Sequence, residues 1–214
     1  MHIAVLMLAL MTIATPASAQ AQPAAKPVKL VVLGDSLSAG LGLPAQQAFP
    51  AKLQKALQAR DIAVDMTNAG VSGDTSSGGR DRLDWSVPDG TDGVIVELGA
   101  NDALRGIDPD LTRGALTDIV TRLKARGIAV MLCGMLAPPN YGTDYAARFN
   151  SIYPDLAKQF EVPLYPFFLD GVAADAKLNQ ADGIHPTAAC VDIIVGNIMP
   201  TVEAFVRTLS EQRR

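Results

Sequence analysis

The sequence is poor in the residues from which metal clusters and disulfide scaffolds are built. Its 214 residues include two cysteines and two histidines, too few thiolates for a zinc cluster, and no metal is expected. Lys and Arg number 18 against 22 Asp and Glu, a formal net charge of -4, so nothing supplies the basic footprint of a nucleic-acid binder. Aromatics are 5% of the chain and Trp85 is the sole tryptophan, which disfavours the stacking platforms that sugars use. No apolar run reaches the roughly 20 residues that span a bilayer, so no stable membrane anchor is expected, and no linker divides the chain. A small-molecule partner is what these exclusions leave.

What is present is a globular composition, 49% hydrophobic and 19% charged, long enough for one sizeable core. The apolar run Ile3 to Ile13 and the following Ala17-Ser18-Ala19 have the pattern of a secretory h-region and a small-residue cleavage site, although only the amino terminus supplies positive charge ahead of them. Residues 1–19 are read as a signal peptide, 20–27 as a disordered Ala/Pro-rich lead-in and 28–214 as the folded domain. Export, to a bacterial periplasm, follows. An oxidising compartment permits a disulfide between Cys133 and Cys190, but Cys133 lies in an apolar strand-like run, so two buried free thiols are expected.

Five short β-branched runs read as strands: Lys29 to Leu33, Ala63 to Thr67, Gly93 to Leu98, Ala129 to Gly134 and Val162 to Tyr165. Helical spacing separates them, in Phe49-Leu53-Ala56-Leu57, Leu116-Ile119-Val120-Leu123 and Phe149-Ile152-Tyr153-Leu156. A last helix carries Val191, Ile194, Val195, Ile198, Val202 and Phe205 on one stripe, with Pro200 expected to kink it. Alternating strands and helices imply right-handed crossovers and a parallel sheet. The expected fold is α/β, a three-layer α/β/α sandwich on a five-stranded parallel sheet, flavodoxin-like. Ligands bind such sheets beyond the carboxyl ends of the strands.

Four of those strand-end loops carry chemistry. Gly34-Asp35-Ser36-Leu37-Ser38-Ala39-Gly40 follows the first strand, where a serine hydroxyl would stand near backbone N–H groups able to stabilise an oxyanion. Taken alone, Ser36 also fits an ordinary turn or helix cap. His2 lies in the signal segment, which leaves His185 as the one imidazole available to the domain as a general base. It stands in Asp182-Gly183-Ile184-His185-Pro186, where a carboxylate three residues earlier can fold back and orient the ring; a surface Asp–His pair is the plainer alternative. Gly70, in Asn68-Ala69-Gly70-Val71-Ser72-Gly73-Asp74-Thr75, and Asn101, in Gly99-Ala100-Asn101-Asp102, are candidate oxyanion donors. Each of these loops is also compatible with a plain turn.

Together the four blocks, each after its own strand, resemble the SGNH (GDSL-type) hydrolases across essentially the whole mature chain. The resemblance implies Ser36 as nucleophile, Asp182 and His185 as its partners, and the Ser36 N–H, Gly70 and Asn101 as the oxyanion hole. No Gly-x-Ser-x-Gly elbow is present, which separates the chain from the α/β-hydrolases. The stretches Asn101 to Ile107 and Leu136 to Gly142, with Phe149 and Tyr153, look like the bacterial periplasmic thioesterase, arylesterase and lysophospholipase branch. Leu104, Ile107, Pro138, Asn140 and Tyr141 are then the expected substrate walls. The implied activity is hydrolysis of acyl or aryl esters and thioesters without a cofactor. A carbohydrate O-deacetylase on the same fold and a non-catalytic acyl-chain binding protein are the rival expectations.

Overall fold

The apolar runs form strands because side chains of Val, Ile and Leu alternate to both faces of a pleat, and here both faces are covered. The computed structural model describes residues 26–213; the expected signal peptide and most of the lead-in lie outside them. Strands β1 (Val28–Gly34), β2 (Val64–Gly70), β3 (Gly93–Glu97), β4 (Ala129–Cys133) and β5 (Leu164–Tyr165) pair in parallel in the order β2-β1-β3-β4-β5. Register runs from Val28 opposite Val64 to Gly34 opposite Gly70, and from Leu30 opposite Gly93 to Gly34 opposite Glu97. The fifth strand is shorter than expected. Pro163 has no N–H to donate to the ladder, and pairing holds only Leu132 to Leu164 and Cys133 to Tyr165.

The α-helices are α1 (Ser36–Ala39), α2 (Phe49–Gln58), α3 (Ser76–Asp81), α4 (Leu83–Ser86), α5 (Ala100–Leu104), α6 (Pro109–Ala125), α7 (Gly142–Asn150), α8 (Ile152–Phe160) and α9 (Ala188–Gln212), and two short 3-10 turns lie at Ala45–Gln47 and Pro139–Tyr141. One layer is α2 and α9, packed on each other and on β1, β2 and β5; the other contains α3, α6 and α8. The sheet interior, with Val32, Leu33, Val94, Ile95, Met131 and Leu132, is excluded from solvent between them. Each such side chain contributes roughly 1.5–3 kcal/mol by leaving water.

One helix departs from the sequence reading. The periodicity from Phe149 to Leu156 belongs to two helices that meet at Ser151. Pro154 is the cause, since it lacks an N–H and its ring crowds the carbonyl four residues earlier. The last helix contains Pro200 within its span, and its stripe from Cys190 to Leu209 is buried. The Pro27 carbonyl accepts a hydrogen bond from Arg213 Nη1 at 3.0 Å. Cys133 and Cys190 are buried free thiols, and burial pushes both above the ordinary thiol range.

Strand order reverses between β1 and β3. At such a switch point the outgoing connections diverge to opposite faces and leave a crevice at the carboxyl edge. The loops after these two strands are the ones that carry Ser36 and Asn101.

Candidate active site

The chain leaves β1 at Gly34 and turns at once into α1, a single turn of helix whose first residue is Ser36. Asp35 caps it, its Oδ1 accepting the Leu37 N–H at 2.9 Å. As the first residue of the helix, Ser36 has no intrahelical partner for its own N–H, which stays beside its hydroxyl. The Oγ is 2.8 Å from His185 Nε2.

His185 arrives on the segment between β5 and α9. Gln180 ties that segment down, its N–H donating to the His185 carbonyl at 2.7 Å and its Nε2 to Leu41 O at 2.7 Å and Pro186 O at 2.9 Å. Gly183 takes φ of 72° with open space where a side chain would sit, so backbone conformation, not crowding, calls for glycine there. The turn folds Asp182 onto the ring: Oδ2 lies 2.6 Å from His185 Nδ1, while Oδ1 accepts the N–H groups of Ile184 at 2.9 Å and His185 at 3.0 Å. Those bonds hold the Asp182 carboxyl well below its usual range, so it stays ionised and favours the tautomer with its proton on Nδ1. Nε2 is then the acceptor facing Ser36.

The two other donors expected for the oxyanion hole are placed differently. Gly70 N–H is taken by Asn68 Oδ1 at 2.9 Å. A Cβ there would stand 2.4 Å from Ala39 N and 2.8 Å from Asp35 O, so Gly70 serves to let α1 pack on the end of β2. This corrects the sequence reading. Gly73, three residues on, makes no N–H hydrogen bond among the described residues, while its carbonyl is held by Arg105 at 2.8 Å. Asn101 does reach the nucleophile loop, but both hydrogens of its amide are engaged, with Asp35 Oδ2 at 3.1 Å and Asp74 O at 2.9 Å. Bonds of this kind in an unliganded site often rearrange when substrate arrives.

The expected substrate walls meet each other. Tyr141 donates its hydroxyl to Leu104 O at 2.8 Å, and Tyr145 donates to Ile107 O at 3.0 Å. Leu104, Asn140 and Tyr141 are exposed, Ile107 and Pro138 half-buried. A cavity of about 490 Å³ lies elsewhere, near the amino ends of β4 and β5, lined by Ile128, Val130, Val162, Phe205 and Leu209. It contains none of the residues with catalytic chemistry.

Beneath the nucleophile turn are acids that the sequence reading passed over. Asp35 is fully buried, and burial outweighs its hydrogen bonds to Leu37 and Asn101 to raise its pKa to about 6. Glu97 closes β3 with no solvent exposure; its Oε2 lies 2.5 Å from Ser38 Oγ and its Oε1 has no partner. Burial, reinforced by Asp35, pushes the Glu97 carboxyl well above its ordinary range. The signal was one acid inside the apolar run Val94-Ile95-Val96-Glu97-Leu98. Asp102, also buried, accepts from Ser76 N–H at 2.8 Å, Ser76 Oγ at 2.5 Å and Thr112 Oγ1 at 3.0 Å, and so fixes the loop that bears Asn101.

A raised carboxyl binds its proton more tightly in the folded chain than in the unfolded one. Glu97 therefore withdraws stability as pH climbs from the usual glutamate range toward its folded pKa. Glu97→Gln, which keeps the acceptor and cannot ionise, is expected to melt like wild type near pH 4 and above it at pH 8. A wild type that gains on the variant with rising pH would show instead that Glu97 is ionised in the fold.

Comparison with known proteins places the chain in a family. Residues 32–192 match the model of the GDSL-like lipase/acylhydrolase family. Esterase TesA of Pseudomonas aeruginosa is 40% identical over 178 residues, covering 83% of this chain and 89% of the esterase. The thioesterase 1/protease 1/lysophospholipase L1 of Escherichia coli K12 is 44% identical over 158 residues, 73% of this chain and 74% of its own. Among solved structures, AlinE4, an SGNH-hydrolase family esterase, superposes with a TM-score of 0.71 at 42% identity, covering 84% of this chain and 96% of its own. On its sequence and its fold alike, the chain belongs to the GDSL-like lipase/acylhydrolase family of carboxylic ester hydrolases.

Proposed function

We propose that the chain hydrolyses aryl esters, acyl thioesters and lysophospholipids through an acyl-enzyme on Ser36. The observation that carries this reading is the hydrogen-bonded relay from Ser36 Oγ to His185 Nε2 at 2.8 Å and from His185 Nδ1 to Asp182 Oδ2 at 2.6 Å. His185 takes the Ser36 proton as Oγ attacks the acyl carbon. The oxyanion forms against the N–H groups of Ser36 and Gly73 and the Asn101 amide, one of whose hydrogens turns from its resting partner. His185 then protonates the departing alcohol, phenol or thiol, and water repeats the attack on the acyl group. Asp182 holds the ring and balances the imidazolium without itself accepting the proton.

The substrate classes are those of the relatives' names, an esterase and a thioesterase/lysophospholipase, and the exposed Leu104 and Tyr141 offer an apolar wall to an acyl chain. A periplasmic location rests on the amino-terminal pattern of residues 1–19. The test is a panel of p-nitrophenyl butyrate, palmitoyl-CoA, lysophosphatidylcholine and acetylated xylan on the purified mature chain. Turnover of members of the first three is expected. Turnover confined to acetylated xylan would overturn the substrate assignment and favour a sugar deacetylase.

A further inference from the structure

Outside the relay, one side chain touches more of the catalytic framework than its position would suggest. Arg82 lies at the junction of α3 and α4, with its side chain 12% exposed. Its Nε donates to Asp74 Oδ2 at 2.5 Å, Nη1 to Ala69 O at 2.8 Å and to Ser86 Oγ at 2.9 Å, and Nη2 to Gly34 O at 2.8 Å. Gly34 and Ala69 are at the carboxyl ends of β1 and β2, where the ladder between those strands runs out. The guanidinium therefore bridges the carboxyl ends of the two strands, sharing the Gly34 carbonyl with the Val71 N–H, which reaches it at 3.1 Å.

The acceptors are not arbitrary. The Gly34 carbonyl belongs to the peptide that opens the nucleophile turn, two residues before Ser36. Asp74 follows Gly73, and its own carbonyl accepts the Asn101 amide. One rigid planar group thus spans the start of the Ser36 turn, the end of β2 and the residue that holds Asn101. A lysine cannot replace it, because an ammonium is a point donor without the fork that reaches several fixed acceptors at once.

We propose that Arg82, paired with Asp74, is a positioning residue that sets the distance between the Ser36 nucleophile and the donors on the Gly73 and Asn101 loops. The inference rests on the acyl-enzyme reading above. Displacement of reacting groups by about 1 Å can cost roughly 10²-fold in rate. Arg82→Lys and Asp74→Asn are each expected to lower kcat on p-nitrophenyl butyrate by about 10- to 100-fold, with KM within about threefold of wild type. Because the two side chains act as a unit, the double variant should lose little beyond the worse single one. A merely structural role would lower Tm and leave kcat of the folded fraction intact.

The measurement is kcat and KM at a temperature well below each variant's Tm, with an alkylphosphonate ester as a label for Ser36. A wild-type kcat in folded Arg82→Lys, or losses that simply multiply in the double variant, would overturn the inference. If Arg82→Lys does not fold, the isosteric Asp74→Asn carries the test, and a normal kcat there overturns it equally. Should the label spare Ser36 in an active wild-type enzyme, the acyl-enzyme reading fails and this inference with it. Labelling of Ser36 together with normal turnover in the variants removes the Arg82 role alone.

Discussion

Ser36→Ala is expected to lower kcat/KM on p-nitrophenyl butyrate by about 10⁴- to 10⁶-fold, the range seen when a nucleophile that works as part of a triad is removed. Among the described residues the Oγ has one hydrogen-bond partner, His185, and Ser36, although buried, is a small polar side chain at the carboxyl end of β1. Far-UV circular dichroism and Tm should accordingly stay close to wild type, since substitutions away from packing and buried networks usually change stability by about 0.5 kcal/mol or less. Asp35, Leu37 and Ser38 hold the turn through contacts that do not involve the hydroxyl. Activity retained above about one per cent of wild type, roughly two decades of loss, would remove Ser36 from the chemistry.

The second large effect is expected at Asn101. Asn101→Ala should lower kcat by about 10²- to 10³-fold, equivalent to roughly 2.7–4 kcal/mol of transition-state stabilisation, with little change in KM. Asn101→Asp should do at least as much damage. It would set a second carboxylate beside Asp35 Oδ2, which the amide now meets at 3.1 Å, and would present negative charge where the oxyanion develops. The resting bonds to Asp35 and Asp74 give Asn101 a packing function too, so the decisive comparison is kcat against Tm on the same preparations. A variant that melts lower and turns over normally would leave the oxyanion to backbone donors.

The sequence carries the fold where side-chain pattern and backbone state coincide. The run Val94-Ile95-Val96 is apolar on both faces because a parallel strand is covered on both faces, and β1, β3 and β4 are where the pattern puts them. It misleads where one backbone atom decides the matter. Pro163 shortens β5 and Pro154 splits α7 from α8, although the apolar spacing continues across both.

The relay is legible for an arithmetical reason, since the domain has a single imidazole to offer Ser36. The oxyanion donors are not. Gly70 and Gly73 stand three residues apart in one loop, and which N–H is free depends on whether the Asn68 side chain folds back onto Gly70. Arg82 is silent for a similar reason: two of its four acceptors are backbone carbonyls, which leave no trace in residue type.

The central claim is that acyl transfer passes through a covalent bond to Ser36 Oγ, and the most direct measurement is the mass of the trapped protein. The mature chain is mixed with an alkylphosphonate ester, digested, and its peptides weighed. A single adduct on the peptide containing Gly34-Asp35-Ser36-Leu37-Ser38 is expected, formed in step with loss of activity and absent from Ser36→Ala. An adduct on another residue, or full loss of activity with that peptide unmodified, would contradict it.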